Sequence, residues 1–379
     1  MEKKICILLG LVMLIVSVDI HAEETRYSKA KIIELEPITV TASRAERRIS
    51  EVPSSTSIIS EKDIQNSNAK SISDLLENLE GVYTYDSSGV GSVGVVNMRG
   101  FYGGMSSYQL VLVDGIPQNK GKDKLVDWDM ISLDNIESVE VTRGPASALY
   151  GDNAMSGVIN IITKKPDGKP EAKVYTSYGS FNTQEYKTSV SGAYKSEDNG
   201  LPPFRQSHKQ LGILLGASQK ITDGFRKYCN YDRTHIDGRL DYNINDDQKA
   251  QFLLDYYKKK RGALPWALSE VQIAQDRRQA RPGTENDKSD ETKSDISITH
   301  AWDVSSNVKT EETFYYKYDI ADSFYTGPNL TQNSQKEQLE DEDAYGFMLK
   351  GSMNQEIMGL GHEFTVGVDL ERDNFDYKE

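Results

Sequence analysis

The chain is poor in the residues that build staples and metal centres. It has two cysteines in 379 residues, and one of them, Cys6, lies in an apolar N-terminal run. With that run set aside only Cys229 remains, which leaves no intrachain disulfide and describes a structural or surface thiol. The five histidines are widely scattered. No HExxH spacing, Cys/His pair, Ser/His/Asp set or P-loop occurs, so no catalytic residue, metal ligand or cofactor is expected, and an enzyme is not. Basic charge is also short: 44 Lys and Arg face 58 Asp and Glu, a net charge of −14. That sign argues against a nucleic-acid partner, whose phosphates attract a basic patch. Three tryptophans among 21 tyrosines, with mean hydropathy below zero, exclude a helical membrane bundle. They leave open a transmembrane barrel, which has a polar lumen and aromatic girdles.

The one apolar run, Ile5 to Val18, follows Lys3-Lys4 and precedes Asp19-Ile20-His21-Ala22. It falls short of the ~17–25 residues of a spanning helix. A basic start, a short apolar stretch and a small residue before polar sequence describe a secretory signal peptide over residues 1–22. Ile20 is bulkier than the A-x-A pattern wants. Cys6 sits inside the run and not at its end, so a lipoprotein signal is not supported. Residues 23–50 are polar and read as a tether. Within it, Glu36-Pro37-Ile38-Thr39-Val40-Thr41-Ala42 carries strong strand formers with no neighbour in sequence to pair with. An orphan strand on a tether suits β-augmentation.

Residues 51–166 read as a small α+β domain. Ser71–Leu79 is expected to be a short helix with Ile72, Leu75, Leu76 and Leu79 on one face, ended by Gly81. Val93–Arg99 and Leu110–Val113 read as strands, and Asp114-Gly115 as a hairpin turn into Ile116-Pro117. A strand through Val139 and Val141 stops at Arg143-Gly144-Pro145. A small-residue turn follows, and a second strand, Val158–Ile162, begins after Gly157. Gly89-Val90-Gly91-Ser92-Val93-Gly94 fits G-x-G-x-x-G, but strand-like Val95–Met98 follows where a dinucleotide site needs a helix, so it reads as a loop. Lys122–Asp129 holds three aspartates. Their spacing is not that of an EF-hand, and a solvated loop is expected.

The order of these segments resembles the plug of TonB-dependent outer-membrane receptors. Leu75-Leu76 with Glu80-Gly81-Val82 looks like the family's "LL…xPGV", with Glu80 in place of the proline. Asn97-Met98-Arg99-Gly100-Phe101 is similar to "I-x-I-R-G", and Val111–Pro117 to "VLVDGVP". Residues 136–163 resemble the plug's end. The resemblance implies that Glu36–Ala42 is a TonB box, whose residues Glu36, Pro37, Ile38, Thr39, Val40, Thr41 and Ala42 add a strand to the TonB C-terminal domain. It also implies that Arg99 and Arg143 latch the plug to barrel-wall carboxylates, a role that suits a permanently charged bidentate donor. The bland alternative is a pair of solvated or capping arginines. Ligand contact from plug loops falls, on the same resemblance, to Gly89, Gly91, Ser92, Tyr102 and Tyr108.

From residue 171 the period becomes two. Tyr186, Thr188, Val190 and Tyr194 alternate with polar residues, as do Leu240 and Tyr242. Ala250, Phe252, Leu254 and Tyr256 share a face, and so do Phe364, Val366, Val368 and Leu370. Segments of ~9–11 residues suit tilted membrane strands. Connections such as Ile244–Gln248 and Asp303–Val308 read as tight, and Lys259–Glu291 and Ala321–Glu342 as long, polar and extracellular. The scattered acidic residues are expected to be solvated. Residues 171–379 thus read as about nine antiparallel barrel strands, whereas a plugged transporter barrel needs about 22, and an open sheet edge cannot face lipid. The expected fold is an α+β plug followed by an incomplete transmembrane β-barrel, as the N-terminal part of a longer receptor. The implied function is TonB-energised import of a metal chelate, a siderophore–iron complex first, with cobalamin or haem as rivals. The implied setting is the lipid of a Gram-negative outer membrane. A non-transporting, truncated periplasmic or surface binding protein is the reading from another class.

Overall fold

The computed structural model describes residues 38–39, 47–48, 54–86, 94–101, 108–119, 121, 124, 126–166, 168–195, 210–262, 268–326 and 335–378. The expected signal peptide lies outside them. So do most of the tether and, among the expected site residues, Glu36, Pro37, Val40, Thr41, Ala42, Gly89, Gly91, Ser92 and Tyr102.

Two short strands come first, β1 (Ile38–Thr39) and β2 (Arg47–Arg48). They pair antiparallel, Ile38 with Arg48 and Thr39 with Arg47. The expectation of a strand without a neighbour is therefore corrected at these two residues, because the chain returns on itself within ten residues.

The N-terminal domain then runs β3 (Ser55–Ser60), α1 (Glu61–Asn66), α2 (Ile72–Glu77), β4 (Val82–Asp86), β5 (Gly94–Met98), β6 (Gln109–Val113), β7 (Ile116–Pro117), β8 (Ile136–Arg143), α3 (Ser147–Tyr150) and β9 (Gly157–Thr163). Five strands form one sheet in the order β3-β8-β9-β6-β7, and β4 pairs with β5 separately. Ser71 caps α2 through a reciprocal capping box with Asp74, which satisfies two orphan donors of the first turn. Ile72, Leu75 and Leu76, spaced i, i+3, i+4, pack with Val111, Val139, Val141, Ile159 and Ile161 of the sheet. The helix stops at Glu77 with Asn78 as its cap, earlier than expected. Gly81 instead turns the chain into β4 at φ +72°, and its carbonyl accepts from Arg99 N at 2.8 Å. The Asp114-Gly115 turn is left-handed at both residues, φ 47° and 83°, as a type I′ hairpin requires.

Nine strands follow: β10 (Glu171–Gly179), β11 (Thr183–Lys195), β12 (Gln210–Thr222), β13 (Tyr231–Asn243), β14 (Gln248–Arg261), β15 (Lys288–Ser305), β16 (Val308–Thr326), β17 (Gln335–Ile357) and β18 (Leu360–Lys378), with a helical turn α4 (Glu270–Gln275) between β14 and β15. They form one antiparallel meander in sequence order. The pleat separates two faces. On β13 the residues Tyr231, Arg233, His235 and Arg239 are buried, while Ile236 and Leu240 are exposed. Charge is covered and hydrocarbon is bare, the reverse of a soluble sheet. Exposed Phe252 and Leu254, Ile296 and Ile298, and Val366 and Val368 continue the bare band across the sheet. From Ala250 to Tyr256 it is about 20 Å tall at ~3.3 Å per residue, close to the ~25 Å apolar belt of membrane barrels. No described helix is long and apolar enough to cross a membrane, which says nothing of strands.

Two details differ from expectation. Strands β15 to β18 run 18, 19, 23 and 19 residues, far beyond the apolar belt. The acidic run Glu337–Glu342, expected in a loop, is ladder-paired with β16. Ladder bonds use the backbone and need no apolar side chain, so the apolar period underestimates such strands. Connections 244–247, 306–307 and 358–359 lie at one end of the sheet, and 223–230 at the other. The expected asymmetry has an exception in the tight turn 180–182, which lies at the same end as 223–230; connections 196–209 and 327–334 lie outside the described residues.

Gly157 is pinned where β9 meets both β8 and β6. A Cβ there would stand 2.3 Å from Thr142 O and 2.7 Å from Met98 Cε. Gly157→Ala is therefore expected to destabilise the domain by about 1–3 kcal/mol, the range for overpacking a core. The check is a lower urea midpoint for loss of near-UV circular dichroism.

Candidate functional site

The buried face of the sheet meets the N-terminal domain through charged side chains. Two tight segments supply the domain's side of the joint. The hairpin turn at Asp114 is one. The other is the stretch after it, where 3₁₀ turns at Trp128–Met130 and Leu133–Asn135 project Asp127, Asp129, Asp134 and Asn135. Trp128, 3% exposed, anchors this stretch in the core.

Lys259 of β14 is 2% exposed and is held between Asp127 of the domain and Glu291 of β15, the latter at 2.9 Å. Arg233 of β13 reaches Asp129 Oδ1 at 3.2 Å and also donates to its carbonyl oxygen at 3.1 Å. Tyr231 O–H donates to the same Asp129 carboxylate. Arg239 of β13 donates to Thr163 Oγ1 at 2.8 Å and lies 3.7 Å from Asp114. Asp114 in turn accepts from Thr163 N at 3.0 Å and Thr163 Oγ1 at 2.5 Å, tying the hairpin tip to the end of β9. Lys187 of β11 meets Asp134 at 2.9 Å. Lys293 donates to Gln118 Oε1 at 3.0 Å and Lys317 to Pro117 O at 3.2 Å. Asn135 donates to Asp237. From β17, Glu342 accepts from Gly121 N at 3.0 Å.

Two cavities remain among the described residues of this joint: one of ≈ 610 Å³ between Asp114, Tyr150 and Lys165 of the domain and Arg239, Asp241 and Lys350 of the sheet, and one of ≈ 110 Å³ lined among others by Ile116, Met130, His235, Leu253 and Asp295. The smaller has room for a few waters. No group of described residues could hold a metal ion.

The expected site residues fall elsewhere. Arg99 is exposed, at φ 52°, and Arg143 is 7% exposed at the end of β8. Arg143 Nη1 donates to Ser57 Oγ at 2.9 Å, inside its own domain. Its Nε has no hydrogen-bond partner among the described residues. Burial and then the neighbouring Arg99 guanidinium hold the Arg143 pKa below its ordinary value, with Glu80 opposing. No described contact joins either arginine to the nine strands. Most of the ionic joint seen here has the opposite polarity to the expected latch, with acids on the domain and cations on the sheet; Lys124 of the domain and Asp373 of β18, 3.6 Å apart, run the other way. Tyr108 is half-buried and packs against Phe101, ring centroids 6.3 Å apart. Its carbonyl accepts from Met155 N and Ser156 N.

The expectation of a solvated Lys122–Asp129 loop is corrected at Asp127 and Asp129, which are buried by their cations. The wall cations were missed, although a signal existed. Residues 187, 233, 239, 259, 293 and 317 all lie on the polar half of the two-residue period, the half that must face inward when the apolar half faces lipid.

Comparison with known proteins agrees with this architecture. Residues 48–158 match the family model of the TonB-dependent receptor plug domain. The rhizobactin receptor of Rhizobium meliloti (strain 1021) is 27% identical over 383 aligned residues, 93% of this chain and 49% of that protein. The vitamin B12 transporter BtuB of Vibrio vulnificus (strain CMCP6) is 34% identical over 175 residues, 46% of this chain and 27% of that protein. The unliganded ferric citrate transporter FecA superposes with a TM-score of 0.69 at 21% identity, covering 86% of this chain and 49% of that one. The chain thus spans about half the length, or less, of the curated relatives it matches.

Removing the Lys259 cation would leave two facing carboxylates, Asp127 and Glu291, close together without it. Breaking a buried pair in this way is strongly destabilising, by about 3–5 kcal/mol. Lys259→Met is expected to loosen the joint on that scale. The measurement is the urea midpoint of Trp128 fluorescence in a chain carrying Trp266→Phe and Trp302→Phe.

Proposed function

Since the chain is a TonB-dependent receptor by its plug domain and its barrel-type sheet, we propose that it acts as an outer-membrane import receptor for an iron complex of the siderophore kind. One observation carries the plugged-pore part of this reading. The sheet hides its charges against the plug and bares an apolar band on its other face, which suits a wall with lipid outside and a stopper inside. Support for iron comes from the span of the match to the rhizobactin receptor, which runs through the plug and on across the wall strands. Cobalamin is the second reading, favoured by the higher identity to the B12 transporter over a shorter stretch.

In this reading residues 1–22 direct export, and Glu36–Ala42 is the segment that TonB binds. β-Augmentation at Ile38–Thr39 asks only that two ladder positions be released from Arg47–Arg48, after which backbone bonds to the partner carry the affinity. Arg99 and Arg143 remain proposed latch residues, directed to wall carboxylates other than those of the nine described strands. Gly89, Gly91, Ser92, Tyr102 and Tyr108 are the proposed ligand contacts of the plug loops.

The test is uptake by iron-starved cells that express the gene. Accumulation of labelled iron from a siderophore mixture, with no competition from cobalamin, supports the iron reading. Cobalamin-dependent accumulation alone overturns it in favour of the second. Val40→Pro deletes a ladder donor in the proposed TonB segment. It is expected to reduce uptake to background while leaving ligand binding to whole cells unchanged.

A further inference from the structure

Four wall cations share a feature that a static lock does not need. Each meets one carboxylate on the plug and another on the wall. Lys259 lies between plug Asp127 and wall Glu291. Arg239 lies between plug Asp114 at 3.7 Å and wall Asp241, whose carboxylate it holds bidentately at 2.9 and 3.0 Å. Arg233 lies between plug Asp129 at 3.2 Å and wall Glu185 at 3.8 Å. Lys187 lies between plug Asp134 at 2.9 Å and the same Glu185 at 3.3 Å. Lys293 and Lys317 repeat the pattern with neutral plug acceptors, and their wall carboxylates are Asp295 and Glu371.

We propose that the wall carboxylates Glu185, Asp241 and Glu291 are exchange partners, which keep the wall cations paired when the plug shifts and so make the joint reversible. A buried cation stripped of its one counter-charge is a costly state, and it would set a high barrier to moving the plug. With a second carboxylate fixed beside it on the same rigid sheet, the cation loses part of its pairing and keeps the rest. The plug aspartates, once withdrawn, meet water, where a carboxylate is stable. The geometry repeats at cations on three strands, β11, β13 and β14, so it belongs to the joint and not to one site. Other groups facing Lys259 fit the same view. Tyr257 lies beneath its ammonium, 5.5 Å from ring centroid to Nζ, and supplies no competing charge.

This inference deepens the import reading and shares its premise of a movable plug. Its test needs no transport, so the two can fail separately. The whole chain, in detergent or bilayer discs, is compared with Glu291→Gln by amide hydrogen exchange at residues 127–135, which reports the open population of the joint. Asp127→Asn provides the reference for a loosened joint. An ordinary structural salt bridge predicts faster exchange when Glu291 is neutralised, because a contact is lost. An exchange partner predicts slower exchange by about tenfold, because Lys259 then depends on Asp127 alone. Slower exchange supports the proposal. Faster or unchanged exchange overturns it. Should Glu291→Gln fail to fold, Asp241→Asn beside Arg239 decides by the same sign, read at residues 110–116.

Discussion

A charge taken out of water needs a counter-charge, and the arrangement of this protein follows from meeting that need on one face of a sheet. The wall strands carry Arg233, Arg239 and Lys259 at 10% exposure or less. Their outward neighbours are hydrocarbon and fit lipid. The same pleat therefore fixes both faces: an apolar belt outward at every second residue obliges the intervening residues to turn inward, where polar groups must be satisfied. The plug supplies that satisfaction. Without it the inward face would have to be wet.

How the plug presents its carboxylates is a matter of local backbone chemistry. Asp114 tolerates the left-handed conformation of a type I′ turn better than most residues do, and its short side chain can then fold back on Thr163. One residue thus closes the β6–β7 hairpin, ties it to β9 and faces Arg239. Asp127 performs a similar double role, since its side chain accepts from Asp129 N at 3.2 Å, capping the 3₁₀ turn, and pairs with Lys259. The wall uses a comparable economy at Gly346. The Tyr315 ring lies where a Cβ would be, which allows its hydroxyl to reach Glu371 Oε2 at 2.5 Å. Turn formation, capping and interface electrostatics are therefore coupled through the same few side chains.

Much of the fold was legible because its signals are local or periodic. The α2 face, the Asp114-Gly115 hairpin and the nine strands rest on spacing and turn chemistry that short windows of sequence carry. The long strand ends were not legible, since acidic residues such as Glu340 and Asp341 join a ladder through their backbones and leave no apolar period. The joint was not legible either, for a different reason. Asp127 and Lys259 lie 132 residues apart, and nothing near either one announces the other. The inward side of the period limits where such cations can be, but only the packing of plug on wall selects their partners. Arg99 and Arg143, to which a motif directed attention, meet none of the nine described strands.

That mismatch bears on how the plug's surface is divided. Toward the nine strands it presents Asp114, Asp127, Asp129 and Asp134, with Lys124 facing Asp373 of β18. Arg99 and Arg143 instead lie together near Glu80, with Arg99 Nη1 close against Gly144. Two guanidinium groups this close repel, and the burial of one of them adds desolvation to the repulsion. A fold keeps such a pair at low cost only where carboxylates can neutralise it. Glu80 supplies one such carboxylate within the plug itself, while the acidic face is matched by cations of strands β11 to β14. The acidic face also orients the stopper. Were Arg99 and Arg143 turned toward these strands, they would face Lys187, Arg233, Arg239 and Lys259, and like-charge contacts of that kind suppress the wrong docking.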